Sequence, residues 1–386
     1  MIKLLKNAQI YGPDPQGKKD ILIEGEKILR VDERISGYDG LPDVEIYDLE
    51  GKIVVPGYID LHVHITGGGG EQGPASRVPE SQLSFFLKNG ITTAVGLLGT
   101  DGVTRSVENL VAKARALTEE GITVFTLTSS YGYPPTTITG SVEKDIMMIP
   151  PMIGVKVAVS DHRSSNPTGE DLIALASAAR RAGLLSGTPG LVTMHMGSGK
   201  GRLDPVFYVL DHSDVPAKNL LPTHMLRTPE LIDDGAELVR RGGYMDCTAG
   251  ADEGEMEDEA EKLMELLGRD GVTADHVTLS SDAFGSQPRF NESGECIGLT
   301  YASPEYLHKT IRSLVRRGMA LEKALKLLTS TPAVLLGQEG RKGCVAPGAD
   351  ADLLVLSADL EIESLISRGQ RALWQGELLM KGRFEQ

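Results

Sequence analysis

The sequence predicts an α/β protein built on a (β/α)8 barrel, and three observations predict it. Apolar, β-rich runs recur eight times through the middle of the chain, mostly followed by helical patterns. The stretch they occupy is of the size such a barrel needs, ~250 residues. Four histidines, a lysine and an aspartate then fall near the C-terminal ends of several of these runs, where barrels of this type carry their chemistry.

The eight runs are IVVPGYIDLHVH, ITTAVGLLG, TVFTLTSS, IGVKVAVSD, LVTMHMG, NLLPTHM, GYMDCTAG and HVTLSSD. Helical segments such as SQLSFFLKNG and EDLIALASAARRAG stand between most of them, and strands alternating with helices point to parallel βα units. Residues 1–54 and 344–386 read differently. ILIEGEKILRV and ALWQGELLMKG are strand pairs around glycine-containing turns, and neither end of the chain can bury much alone. Together they are expected to form a small β-sandwich domain beside a barrel domain spanning 55–343. The acidic run ADEGEMEDEAEKLMELL is expected to be a solvated loop and helix face.

The chain has 386 residues, more than one core usually supports, and a net charge of −15. That balance argues against nucleic acid or an anionic membrane surface as partner. The three cysteines, Cys247, Cys296 and Cys344, are far apart and form no CxxC. With no apolar run of membrane-spanning length, a reduced, cytoplasmic protein is expected.

His62 and His64 stand two apart on the first barrel strand, so both imidazoles project from one face. Lys156 shares the barrel-lining face of its strand with Gly154 and Ala158, while Ile153, Val155, Val157 and Val159 take the other. An unpaired ammonium there is costly. An ion pair, a Schiff-base nucleophile or a carbamate formed with carbon dioxide would each resolve the cost. His195, His224 and Asp282 lie near the ends of the fifth, sixth and eighth strands. The intervals between these residues are whole multiples of one βα unit of about 30 residues. Of the other histidines, His212 and His308 read as surface helix residues, His276 precedes the eighth strand, and His162 follows the fourth.

This pattern of HxH, Lys, His, His and Asp resembles the binuclear subtype of the amidohydrolase superfamily, as does the tail GCVAPGADADLLVL. TITGSVEKD, IGVKVAVSDHRS, HMGSGK, LLPTHMLR and TLSSDAFGSQP are similar to the isoaspartyl dipeptidase branch, and the resemblance covers essentially the whole chain. It implies two zinc ions per subunit, one on His62, His64 and Asp282, the other on His195 and His224. N6-carboxylated Lys156 and a hydroxide would bridge them, the hydroxide being the nucleophile and Asp282 the general base and then acid. It implies Tyr131 as oxyanion donor, and a homo-oligomer, an octamer in similar enzymes.

A dipeptide with one ammonium and two carboxylates fits Glu71 in the glycine-rich loop, Arg163 and Arg227 after two ligand-bearing strands, and Ser286. Thr100 and the backbone N–H groups of residues 67–70 would assist. The metal shell alone equally suits a dihydroorotase, hydantoinase or D-aminoacylase, and a non-catalytic scaffold of the same fold is the third reading.

Overall fold

A computed structural model describes residues 2–290 and 296–385. The eight barrel strands are β1 (Tyr58–Val63), β2 (Ile91–Gly96), β3 (Thr123–Thr128), β4 (Met152–Val159), β5 (Leu191–Met196), β6 (Leu220–Thr223), β7 (Met245–Thr248) and β8 (Val277–Ser280). Parallel ladders join β1 through β6 in order and β7 to β8. Two seams close the ring. Between β6 and β7, Met225 N donates to Asp246 O at 3.2 Å and the Thr223 hydroxyl to the Asp246 carboxylate at 2.6 Å. Between β8 and β1, Val63 bridges Ala283 and His64 N donates to Ala283 O at 2.9 Å. The fold is of the TIM-barrel type.

The helical layer follows from apolar spacing and well-marked ends. In the helix Gly169–Ser186, Leu172, Leu175, Ala176 and Ala179 share one buried cluster with Val155, Val157 and Val159 of β4. Thr168 and Asp171 form a reciprocal capping box at its start, and Gly187, at φ 71°, ends it. SQLSFFLKNG gives only a five-residue helix, Leu83–Leu87, because Gly90 (φ 75°) turns the chain straight into β2. The acidic run forms the helix Glu253–Leu267, which buries Met256, Ala260, Leu263, Leu266 and Leu267 and leaves most of its acids outward, as expected.

Two expectations about strands need correction. Ile153 lies inside the barrel, not under the helices. The β3–β4 register steps from Thr126–Met152 to Leu127–Gly154. The extra residue at that bulge reverses the alternation, and Ile153 joins Ile59, Leu61, Val95, Leu127, Leu191 and Leu221 in the barrel floor. The run IVVPGYIDLHVH is not one strand either. Ile53–Pro56 pairs with Ile2–Tyr11 and with Leu353–Leu356, and the barrel strand begins only at Tyr58. Gly57 makes the corner, where a Cβ would collide with the Thr92 side chain.

The two ends of the chain meet in one nine-stranded sheet. Both expected hairpins are present, Pro15–Glu24 with Lys27–Asp32 and Gln370–Trp374 with Glu377–Leu378. Cys247 and Cys344 are free thiols, and the Cys296 side chain lies outside the described residues. No helix among the described residues is long and apolar enough to cross a membrane.

His308 is buried, contrary to the surface position expected of it. Its Nε2 donates to Leu360 O at 2.7 Å, so its Nδ1 accepts from the Tyr58 hydroxyl at 2.9 Å. Burial, aided by Arg312 and opposed by the Leu360 hydrogen bond and Glu361, holds the imidazole down at about 4. The unfolded chain takes up this proton near pH 6.5. Stability is therefore full above that value and falls as pH drops from about 6.5 to 4. His308→Gln should lose ~1 kcal/mol at pH 7 and show a shallower decline between pH 6.5 and 4 in urea unfolding. An unchanged slope would contradict the assignment.

Candidate metal centre

The barrel floor is apolar, the layer above it is polar, and the metal-capable groups stand above both. Asp246 accepts from Thr223 (2.6 Å), Thr278 (2.7 Å) and Ser280 (2.6 Å), which stitches β6, β7 and β8 together. Burial pushes its carboxyl up to about 6, against these hydrogen bonds and the pull of Lys156. Asp60 accepts from Ser281 N and its hydroxyl and from His62 N, which ties the first ligand strand to the last.

Local backbone irregularities aim the functional side chains. Between Asp60 and Val63, β1 carries one residue more than β2, whose partners run only from Ala94 to Gly96. Leu61 consequently enters the floor while His62 and His64 both reach Asp282. Ser129, Ser160, His224 and Asp282 follow β3, β4, β6 and β8 within two residues, and all have positive φ (70°, 53°, 65° and 52°). Non-glycine residues seldom adopt this conformation, and such strain clusters at functional sites.

His62, His64 and Asp282 form a buried group able to hold a metal ion. Asp282 Oδ1 lies 3.1 Å from His64 Nε2 and 3.5 Å from His62 Nε2. Burial raises the carboxyl of Asp282, but the hydrogen bond and charge of His64, with His195 and Lys156, hold it below its usual range. Lys156 is fully buried with Nζ 3.3 Å from His62 Nε2, and burial lowers its ammonium to about 7. His224 packs against both His62 and His195, with ring centroids 5.1 and 4.5 Å apart. Its Nδ1 meets the Thr248 hydroxyl at 2.7 Å. Burial holds the imidazoles of His62, His195 and His224 far down, so all three are neutral. His62 Nδ1, His64 Nδ1 and His224 Nε2 are buried without a hydrogen bond. Imidazoles gathered around an ionised carboxylate, with His224 Nε2 unpartnered nearby, are a donor set that suits a divalent cation.

The expected substrate groups form one connected rim. Glu71 accepts from Thr100 (3.0 Å) and Ser286 (2.9 Å) and lies 3.5 Å from Arg163. Tyr131 is buried, with its hydroxyl 2.6 Å from His195 Nδ1. Arg227 donates to Met196 O at 2.9 Å. The glycine-rich loop behaves differently from the expectation. Gly67, Gly68 and Gly70 spend their N–H groups on His64 O, Phe284 O and Ser76 O, so these groups shape the loop and do not point into the site.

Sequence reading missed four contributors. Asp161 is buried, chelates Arg163 through both carboxylate oxygens (2.9 and 3.0 Å) and lies 3.1 Å from His195 Nε2. It stands just past β4, so the rule that singled out its neighbours covered it too. Arg105 donates to the carbonyls of Thr66, Gly68 and Val78 and holds the glycine loop. Gln287 donates to Asp282 Oδ2 at 3.1 Å, and Thr248 contacts His224. His162 is exposed and His212 lies on a helix surface; His276 stacks on Tyr244 and bonds Gly243 O.

A model of the amidohydrolase family matches residues 53–372. The chain belongs to the amidohydrolase family. It is 40% identical to a beta-aspartyl dipeptidase from Fervidobacterium islandicum AW-1, solved in complex with beta-Asp-Leu dipeptide. That match covers 98% of this chain and 97% of that one, with a TM-score of 0.90. The D-hydantoinase of a Thermus species shares the fold at 17% identity (TM-score 0.70, 100% and 98% covered). The dihydroorotase of Macrococcus caseolyticus is 34% identical over 112 residues, 29% of this chain. The match spans only about a quarter of that relative's length, 25%.

Adding a divalent cation such as Zn2+ to chelator-treated protein should raise its unfolding free energy, by ~2.7 kcal/mol at a hundredfold excess over Kd. His64→Ala should remove most of that gain in thermal melts. Equal metal-induced shifts in both proteins would exclude His64 as a ligand.

Proposed function

We propose that this protein is a metal-dependent dipeptidase that hydrolyses the isopeptide bond of β-aspartyl dipeptides. The observation that carries the reading is near full-length similarity to a beta-aspartyl dipeptidase at 40% identity. The charged rim of Glu71, Arg163 and Arg227 beside the metal-capable group supports it.

In this reading two zinc ions are held by His62, His64, His195, His224, Asp282 and Lys156 as its carbamate. Bound there, the metals lower the pKa of a water molecule and polarise the amide carbonyl. The chain's own residues do the rest. The Lys156 amine, lowered to about 7 by burial, is available unprotonated to carbon dioxide. Its nitrogen forms the new C–N bond and releases one proton, leaving an anionic carbamate. Glu71 takes the substrate ammonium, and Arg163 and Arg227 take its carboxylates, since a planar guanidinium matches a carboxylate. Asp161 holds Arg163 in place for this. Tyr131 exchanges its His195 partner for the carbonyl oxygen and stabilises charge developing there. Asp282 accepts the water proton and returns it to the leaving amine. Thr100 and Ser286 orient Glu71.

The same reading divides the chain into 1–54 with 344–386 and 55–343. It takes the small unit as a β-sandwich, supported by apolar clusters on both faces of its sheet. It also includes a homo-oligomer, octameric by resemblance, in the cytoplasm.

Turnover of β-Asp-Leu should exceed that of dihydroorotate and N-acyl amino acids by orders of magnitude. No hydrolysis of β-Asp-Leu alongside good turnover of dihydroorotate would replace this reading with the cyclic-amide one. Lys156→Ala should lose nearly all activity and regain part of it with added short carboxylic acids. Full activity of the unrescued variant would refute the carbamate.

A further inference from the structure

The rim of the barrel mouth carries both signs of charge. Glu71 gathers Thr100 and Ser286. Arg227 opens onto a cavity of about 160 Å³ that His224, Thr248, Gln287, Glu255 and Glu259 also line. His224 lines this cavity, so it borders the metal-capable group. In the dipeptidase reading, a dipeptide held by its ammonium at Glu71 presents its leaving residue to Arg227. There the α-carboxylate meets the guanidinium and the side chain enters the cavity.

We infer that this cavity selects leaving residues with a cationic side chain, such as lysine, through Glu255 and Glu259. The inference rests on the β-aspartyl dipeptidase reading.

Glu255 and Glu259 stand four apart on the helix Glu253–Leu267, so they share a face. Their acidic neighbours point elsewhere: Glu257 and Glu261 pair with Arg316 and Arg317 on the adjoining helix. Lys262 offsets Glu259 at 2.8 Å. Glu255 accepts from Ala251 N at 2.9 Å, and among the described residues it enters no ion pair. An apolar side chain in the cavity would strip water from these carboxylates without replacing it. An acidic one would be repelled. A cation satisfies them, and complementarity of this kind sets specificity more than gross affinity.

The test compares kcat/KM for β-Asp-Lys with that for β-Asp-norleucine, which keeps the four-carbon chain without the ammonium, and for β-Asp-Glu. The wild-type protein should favour β-Asp-Lys over β-Asp-norleucine about three- to fivefold, the scale of one partly exposed ion pair. β-Asp-Glu should be the poorest. The Lys/norleucine ratio should fall toward one in Glu255→Gln, whose amide can keep the Ala251 hydrogen bond, and Glu255→Lys should turn over β-Asp-Glu faster than β-Asp-Lys. Added salt should shrink the wild-type ratio. A wild-type ratio of one, or a ratio unchanged in both variants, overturns the inference and leaves the dipeptidase reading standing. Absence of hydrolysis of all three overturns both.

Discussion

Lys156 is a primary amine with no access to water, set against the His62 imidazole and the Tyr131 ring, and the interior is organised around that fact. A bare ammonium there would cost several kcal/mol. Burial answers by lowering its proton affinity, and the buried carboxylates Asp246 and Asp282 answer by attracting the proton back. The same pressure keeps three nearby imidazoles neutral. A cavity lined with neutral nitrogen donors and one strongly ionised carboxylate is prepared for a cation. That preparation comes from the low dielectric of a closed barrel and not from any one residue.

Placement is the complementary problem. Regular strands alternate strictly, and regular alternation cannot bring Leu61 to the floor and His62 to the mouth. The β1 bulge does so with one extra residue. The left-handed turns at His224 and Asp282 swing side chains inward at the point where the strand stops. The bulges and strained turns sit on a floor of tightly buried aliphatic residues, which resists their relaxation. The Arg105 clamp does similar work for the glycine loop, gathering the carbonyls of Thr66, Gly68 and Val78.

Much of this was legible in the residues. The barrel followed from eight recurring runs, and His62, His64, Lys156, His195, His224 and Asp282 followed from intervals set by one βα unit. What escaped is what pattern cannot carry. Ile153 changes sides through a bulge that depends on its partner strand. His308 reads as polar helix surface until Tyr58, 250 residues away, supplies its hydroxyl. The glycine loop looked like a set of free N–H donors because sequence does not show where Phe284 O lies. Asp161 was missed although it stands beside Arg163, since nothing local says which strand-end carboxylate meets an imidazole from the next strand.

The small sheet has a consequence for how the molecule comes into being. Ile53–Pro56, the segment leading into the first barrel strand, pairs along one edge with Leu353–Leu356. A ribosome therefore extrudes nearly the entire barrel before that edge finds its mate, and the early strand waits with open hydrogen-bonding groups. Contacts of such long sequence separation form slowly. Assembly of this protein accordingly ends where its chain began, with the late strand sealing the early one, and the interval between is when unsealed copies are most open to pairing with one another.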